Sequence, residues 1–458
     1  MISMECGQWL KWLILALICP LTTAAPSGDG SCPEENLSIA GGSFALSNGY
    51  SDGSYLTYIC PDEHYPSIPS RRCQFGLWTP KTSSRKTAEC KKITCPNPRV
   101  FENGEVVPYQ ERYYINEVTT YLCNSVYKFR GSKVWVCQPN GKWNGSTPIC
   151  GRDSDHCPDP GVPPGSSRTG NVFNVDDEVT YHCDSPLTLI GSKLRKCQDG
   201  GQWTGTEPQC YADFTYDTVA EVAEAFGNSL KTMLTIQQES EDDQHGRKIC
   251  LNKGRKLDIY IAVDVSDSIN DFKKAKQIIK TLLEKISYYE VSPSFEILMF
   301  ATDVYRIVKM RDFKTMQVAR RLSKVFEDLD NFDNDKKLDQ KSTNIAKLYL
   351  TILESMSVEQ IMNKEDFLQT KHVVIVFTDG QANKGGNPRP LAEQIRHLVI
   401  KNDPSRENNL DLYVFGVGTD VNTEDLNGLV SEKENERHFF KLRDLNEVQK
   451  TFDSMLDV

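Results

Sequence analysis

The sequence has no cysteine after Cys250, no long basic tract and no apolar run of membrane-spanning length. Each absence removes a class of function. With a net charge of −10 over 458 residues and no basic stretch, nothing marks it for nucleic acid. The most apolar run, Trp12 to Cys19, is too short to cross a bilayer, and no later segment is longer and as apolar, so membrane insertion is not expected. Histidine is scarce and scattered: His64, His156, His182, His245, His372, His397 and His438. No Ser/His/Asp set has a protease context, and there is no Gly-Asp-Ser-Gly-Gly motif, so this sequence is not expected to hydrolyse peptides. A chain this long exceeds one ordinary core, which implies several domains.

What is present begins with a leader. Lys11 precedes the apolar run, and small residues follow at Thr22 to Ala25, the pattern of a secretory signal over residues 1–25. The mature protein is expected to be secreted and extracellular. Of fifteen cysteines, Cys6 and Cys19 fall in the leader and Cys250 stands apart. The other twelve form three sets of four: Cys32, Cys60, Cys73, Cys90; Cys95, Cys123, Cys137, Cys150; Cys157, Cys183, Cys197, Cys210. Repetition at this scale signals a modular array, and such density in a secreted chain means disulfides rather than metal. Spacing alone does not reveal which cysteines pair. Each set has a tryptophan between its last two cysteines, Trp78, Trp143 and Trp203, read here as core. The second and third sets share Gly131-Ser132-Lys133 with Gly191-Ser192-Lys193, and Gly141-Lys142-Trp143 with Gly201-Gln202-Trp203. Modules are expected at 30–92, 93–152 and 155–212. A unit of about sixty residues buries little apolar surface, and disulfides compensate. Asn36-Leu37-Ser38 and Asn144-Gly145-Ser146 fit the N-glycosylation pattern.

Residues 213–256 read as a linker. Thr218 and Glu221 form a capping-box pattern opening a short helix, with Val219, Val222, Ala223 and Phe226 on one face. An acidic run at 237–244 leads into Arg247-Lys248, a basic dipeptide suited to a trypsin-like protease. Cys250 is the odd cysteine of the mature chain: a buried free thiol, the favoured reading, or a half of a pair with something else, or a link between chains.

From residue 257 onward the pattern turns to alternating strands and helices. Strands are predicted at 257–263, 295–301, 373–377, 410–417 and 438–442. Helical faces comprise Phe272, Ala275, Ile279, Leu282, Leu283 and Ile286; Val318, Leu322, Val325 and Phe326; Ile345, Leu348, Ile352 and Met356; and Leu445, Val448, Phe452 and Met455. The alternation implies an α/β doubly wound domain over 257–458, with a largely parallel sheet covered on both sides. Ligands bind at the carboxyl ends of the strands in such sheets. The first strand ends in Asp264-Val265-Ser266-Asp267-Ser268, and the third in Phe377-Thr378-Asp379-Gly380. Asp-x-Ser-x-Ser alone caps turns everywhere. Together with Asp379 and with Thr343 in Lys341-Ser342-Thr343-Asn344, it offers hard oxygen ligands of the kind Mg²⁺ takes. Asp267 is read as a solvated or outer residue.

Asp264, Ser266, Ser268, Thr343 and Asp379 resemble the metal-ion-dependent adhesion site of von Willebrand factor A domains, which implies Mg²⁺, with Mn²⁺ as a substitute, and protein binding rather than metal catalysis. The repeats resemble complement control protein, or sushi, modules. That likeness implies first-to-third and second-to-fourth disulfides: Cys32–Cys73, Cys60–Cys90, Cys95–Cys137, Cys123–Cys150, Cys157–Cys197 and Cys183–Cys210. Three sushi modules, a linker with Arg-Lys and an A domain, in this order, resemble the complement factor B and component two family. Phe101-Glu102-Asn103-Gly104, Thr204-Gly205-Thr206-Glu207-Pro208, residues 221–226, Lys384-Gly385-Gly386 and Val414-Phe415-Gly416-Val417-Gly418 carry the likeness. Residues 41–44, 56–58 and 455–458 look nearer to component two, Ser266-Asp267-Ser268 and residues 221–226 nearer to factor B, with a slight lean to component two. The resemblance implies a convertase zymogen. It would dock through the metal on an activated fragment of the fourth or third complement component, and a trypsin-like complement protease would cut it between Arg247 and Lys248. Members of the family continue into a serine protease domain. The sequence is therefore expected to be either a truncated product or a piece of a longer protease zymogen. A third reading is an adhesion protein using the same modules generically.

Overall fold

The computed structural model describes residues 30–80, 87–152, 156–234, 256–266, 272–287, 293–317, 320–332, 342–382, 384–401 and 403–455. The leader, the acidic run at 237–244, Arg247, Lys248, Cys250, Asp267, Ser268 and Val318 lie outside them.

Three small β modules come first. Six disulfides join Cys32 to Cys73, Cys60 to Cys90, Cys95 to Cys137, Cys123 to Cys150, Cys157 to Cys197 and Cys183 to Cys210. The second and third modules share one plan. Val118–Cys123 is the middle strand of a three-stranded antiparallel sheet, as is Glu178–Cys183 in the next module. Side chains alternate across a strand, so Thr119 and Tyr121 point inward in one, Val179 and Tyr181 in the other. Aromatic side chains fill what little core remains. Tyr121 meets the edge of Trp135 at 5.4 Å, and Phe173 meets Trp203 at 5.8 Å. Trp78 and Trp203 are buried; Trp143 is half-buried, and its indole N–H donates to the Pro96 carbonyl at 2.7 Å.

The α/β domain holds a six-stranded sheet. Its strands are β1 (Leu257–Asp264), β2 (Ser294–Phe300), β3 (Val304–Val308), β4 (Lys371–Thr378), β5 (Leu410–Val417) and β6 (Phe439–Leu442), in the order β3-β2-β1-β4-β5-β6. All neighbours are parallel except the β2–β3 pair. Every residue of β1, β4 and β5 is buried, because helices cover both faces. Alternation divides the side chains between two cores. Ile259, Ile261 and Val263 join Phe377, Phe415 and Phe440 on one face; Tyr260 and Ala262 join Val374, Leu412 and Phe439 on the other.

The linker helix α1 (Val219–Leu234) is part of the first core. Sequence reading anticipates a short helix there; the observed one has 16 residues. Its capping box is closed at both ends: the Thr218 N–H donates to Glu221 Oε2 at 2.7 Å, and the Glu221 N–H donates to Thr218 Oγ1 at 3.2 Å. Val222, Phe226 and Leu230, spaced by four, face the sheet, and Phe226 lies 5.1 Å from both Tyr413 and Phe415. Packing therefore extends the helix beyond what its cap alone would support. The same core takes α2 (Phe272–Ser287); α3 (Met310–Thr315) and α4 (Arg321–Asn331) follow in the chain. The other face carries α5 (Ile345–Met362), α6 (Lys364–Gln369), α7 (Arg389–Ile400) and α8 (Thr423–Asn427). The last helix, α9 (Leu445–Ser454), returns to the first face. Periodicity does not anticipate β3 or α7. The first is a half-buried edge strand with little apolar signal, and the second opens with Pro390 in its first turn.

The array folds back on the α/β domain. From the third module, the Gly191 N–H donates to Asn427 Oδ1 at 3.0 Å, and Thr206 Oγ1 donates to the Lys433 carbonyl at 3.0 Å. From the second, Lys142 pairs with Asp217 of the linker, whose carboxylate also takes Arg437 of the α/β domain at 2.7 Å. From the first, Tyr65 stacks on Phe214 with centroids 3.9 Å apart.

Candidate metal centre

Parallel register brings the ends of β1, β2 and β4 side by side. Asp264 pairs with Phe300 on β2, and Val263 with Phe377 on β4, so Asp264 and Asp379 leave the sheet next to each other. Both are buried, at 0% and 5% exposure. Asp264 Oδ1 accepts from the Ser266 N–H at 3.0 Å and from its hydroxyl at 2.6 Å, closing a turn that fixes both side chains. Asp264 Oδ2 accepts from the Thr378 hydroxyl at 2.7 Å. Asp379 Oδ1 accepts from the Gln381 N–H at 2.9 Å. Thr343 is buried on the loop entering α5. That loop is tied to the end of β2 by the Asn344 N–H, which donates to the Ala301 carbonyl at 2.9 Å. Asn344 also caps α5 by accepting from the Lys347 N–H at 2.9 Å, and Gly385, at φ +91°, packs so close to its side chain that a Cβ would collide.

The electrostatics suit a divalent cation. Burial, and then the Asp379 carboxylate, push Asp264 up to about 7, against the hydrogen bonds from Ser266 and Thr378. Two buried carboxylates resist joint ionisation unless a positive charge sits with them. Among the described residues no lysine or arginine forms an ion pair with Asp264. Carboxylates and hydroxyls are the hard oxygen donors of a small divalent cation, so the residues present suit one.

A second acidic cluster contrasts with it. Ligand atoms of Asp411, Glu436 and His438 lie within 4.8 Å of one another. Yet Asp411 already takes Lys433 at 2.5 Å, Lys371 at 2.9 Å and His438 Nε2 at 3.1 Å. Burial works to raise it, but the bond from His438 and the two ammonium groups hold it well below the usual carboxylate range. This cluster carries its own positive charge and fastens β4, β5 and the approach to β6.

Of the residues named from the sequence, Asp264, Ser266, Thr343 and Asp379 stand at this carboxyl end. Ser268 lies outside the described residues. Thr378 and Gln381, which orient the two carboxylates, are not anticipated. Thr378 sits beside Asp379 in the sequence, but only the register of β4 against β1 shows that it reaches Asp264. Asn36 and Asn144 are exposed on their modules, and Asn144 Oδ1 accepts from the Val136 N–H at 2.6 Å.

The von Willebrand factor type A domain family matches residues 258–454, and the sushi repeat family matches 95–150 and 157–210. The first module lies outside that match but has the same four-cysteine framework. Complement factor B of Bos taurus is 39% identical over 470 residues, covering 97% of this chain and 60% of its own length. Complement C2 of Bos taurus is 35% identical over 461 residues, with the same two shares. The chain thus spans about 60% of the length of the curated relatives it matches. These identities lend no support to a lean toward component two. A mussel byssus protein, proximal thread matrix protein 1 with a zinc-occupied MIDAS motif, aligns over 45% of this chain at 18% identity and a TM-score of 0.33, too slight a likeness to argue from. Membership of the A-domain family points to a metal-binding adhesion site, the kind of site that the carboxyl ends of β1 and β4 suit on physical grounds. From sushi repeats through α/β domain, the chain belongs to the family of complement factor B and complement C2.

Proposed function

We propose that this chain is the noncatalytic portion of a complement convertase zymogen, secreted and docking through Mg²⁺ on an activated fragment of the fourth or third complement component fixed to a surface. The observation that carries this reading is the buried Asp264–Asp379 pair at the carboxyl ends of neighbouring parallel strands, in a chain that aligns over 97% of its length with factor B. Asp264, Ser266, Ser268, Thr343 and Asp379 would hold the ion, Mn²⁺ serving as a substitute. When bound, the ion supplies an electrophilic centre for a carboxylate of the partner. The chain's own residues fix the geometry: Ser266 and Thr378 hold Asp264, Gln381 holds Asp379, and Asn344 holds the loop of Thr343. Ser268, Arg247 and Lys248 enter on the family likeness alone. A trypsin-like complement protease cutting between Arg247 and Lys248 would separate the sushi array from the A domain, which stays on the fragment. Asn36 and Asn144 would carry glycans.

The test is binding of the secreted chain to surface-bound activated fragments of the third and fourth components, in Mg²⁺ and in EDTA. Binding to at least one, lost in EDTA and in Asp264→Ala, is the expected result, and the preferred fragment assigns the branch of the family. A folded chain that binds neither in Mg²⁺, or binds equally in EDTA, would overturn the reading.

A further inference from the structure

The outer face of the second module's sheet is apolar where its counterpart in the third module is polar. In the middle strand Val118–Cys123, Thr119 and Tyr121 point inward, so Val118, Thr120 and Leu122 point outward. Thr120 pairs with Val107 on one neighbouring strand and with Val134 on the other. Residues opposite one another across a sheet share a face. Val107, Val118, Leu122 and Val134 therefore surround Thr120, each between 36% and 50% exposed. In the third module Thr180 holds the same place. It pairs with Thr169 and Leu194 and lies between Glu178 and His182. Three of the four surrounding positions are polar there, and the module folds on the same plan. The fold itself does not require the three valines and the leucine.

A second difference lies beside the first. Asn144 Oδ1 accepts from the Val136 N–H at 2.6 Å and closes the edge of the strand Val134–Val136. In the third module Thr204 Oγ1 accepts the same bond from the Lys196 N–H at 2.8 Å. A hydroxyl thus serves the fold as a carboxamide does, and what asparagine adds is Nδ2, the nitrogen to which an N-linked glycan is joined. Gly145 and Gly205 have φ of +95° and +74°, and a Cβ on either would collide with Ser132 or Ser192. The glycine of Asn144-Gly145-Ser146 is therefore structural, whereas the asparagine is replaceable. Its corner is also open, since Asn144, Gly145 and Ser146 are exposed. The matching corner of the third module is closed by the α/β domain, where Thr206 Oγ1 donates to the Lys433 carbonyl and Ser192 Oγ donates to Glu432. The apolar face and the glycan acceptor occur together in one module and are absent together from the other.

We propose that the oligosaccharide on Asn144 lies back over this sheet, its sugar rings covering Val134, Val118 and their neighbours, so that the face is a seat for carbohydrate and not a protein-docking surface. The inference rests on Asn144 carrying a glycan. Pyranose rings present C–H groups on their faces and hydroxyls at their edges. Packed on aliphatic side chains, they remove apolar area from water while their hydroxyls stay solvated. A contiguous apolar patch otherwise invites association, and a bulky, solubilising cover prevents it. The attachment point suits the seat. Oδ1 is pinned to the strand that carries Val134, so Nδ2, on the same carbon, starts the first sugar at the edge of the apolar face. Val107, on the far strand, is two strand spacings from Val134, about 10 Å, within reach of a few sugar units.

The experiment uses the full secreted chain, made in cells that glycosylate it. The wild type is compared with Asn144→Thr, which keeps the bond to Val136 in the manner of Thr204, and with Ser146→Ala, which removes the acceptor pattern and keeps Asn144. Peptide mass spectrometry reads the occupancy of Asn144. Hydroxyl-radical footprinting then reads the accessibility of side chains. Val107, Val118, Leu122 and Val134 should be oxidised more slowly in the wild type than in either variant. Leu194, the counterpart of Val134 and equally exposed at 50%, should be oxidised alike in all three. The buried Tyr121 should stay unreactive throughout, which checks that the second module remains folded. Equal oxidation of the four residues in an occupied wild type and in both variants would overturn the proposal and leave the glycan standing. Protection that appears only when an activated fragment of the third or fourth component is added would overturn it too, in favour of a protein-docking face. A wild type with no sugar at Asn144 would overturn the glycan reading itself, and the proposal with it.

Discussion

Asp217 and His372 show how single buried side chains set the pH range of this fold. The Asp217 carboxylate accepts from Arg437 at 2.7 Å and from the Lys441 N–H at 2.8 Å, and pairs with Lys142. Burial opposes its ionisation, yet Arg437 and Lys142 hold it well below the usual carboxylate range. A carboxylate lowered on folding stabilises the protein at neutral pH, and that contribution is lost as pH falls below its ordinary value of 3.8. Asp217→Ala leaves the half-buried Arg437 without its partner and the buried Lys142 with only Glu221 at 3.5 Å, and should cost about 3 kcal/mol in denaturant unfolding. His372 behaves otherwise. Its Nε2 bonds to the Phe367 carbonyl at 3.0 Å, Nδ1 lies 4.0 Å from Asp258, and burial, aided by Lys314, brings its pKa down to about 4. The unfolded chain then takes up a proton that the folded one refuses, so stability falls as pH drops from 6.5 towards 4. Between neutrality and pH 5 the loss should be roughly 2 kcal/mol, visible as a lower unfolding midpoint. His372→Phe should lack that part of the slope. At this scale the sequence discloses Asp264, Ser266, Thr343 and Asp379, because their spacing places them after strands and before a helix. It conceals Thr378 and Asp217, whose roles depend on partners far away in the chain.

Helix α1 is the element that joins the two halves, and its hold on the sheet is aromatic. Phe226 meets Tyr413, Phe415, Phe440 and Phe452 within 6.1 Å. Phe226→Ala should cost about 3–5 kcal/mol, and limited proteolysis should then cut inside 219–234, which the wild type protects. Thr218→Ala opens the capping box and should cost only about 1 kcal/mol, without releasing the helix. Amphipathic faces are legible for α1, α2, α5 and α9, since four-residue spacing of large apolar side chains has few other readings. The edge strand β3 and helix α7 are not, because one is stabilised by its neighbour rather than by its own pattern and the other begins at a proline.

Across the whole molecule covalent and noncovalent stability are segregated. All six disulfides lie before residue 211, and the α/β domain has none among its described residues. All six tryptophans stand at or before Trp203. Mild reduction should therefore unfold the array, each lost bridge costing about 2–5 kcal/mol in so small a domain, and shift tryptophan emission. Helical circular dichroism, which comes from the α/β domain and α1, should persist. Loss of both signals together would show that the domains do not unfold separately. This division is legible in the cysteine count. The way the array folds back on the α/β domain is not, because the contacts that hold it are single polar residues without a pattern of their own.

The junction at Asp217 also constrains how such chains can diverge. Lys142, Asp217 and Arg437 belong to three separate segments, yet one carboxylate serves both cations. Neutralising position 217 alone strands Arg437 and leaves Lys142 only the more distant Glu221, and neutralising one cation leaves the other to balance the carboxylate by itself. Drift at any of the three sites is thus selected against until the others change too. Across descendants of a common ancestor, positions 142, 217 and 437 should be inherited as a set, and a neutral residue at 217 should be found only where 142 and 437 have become neutral as well.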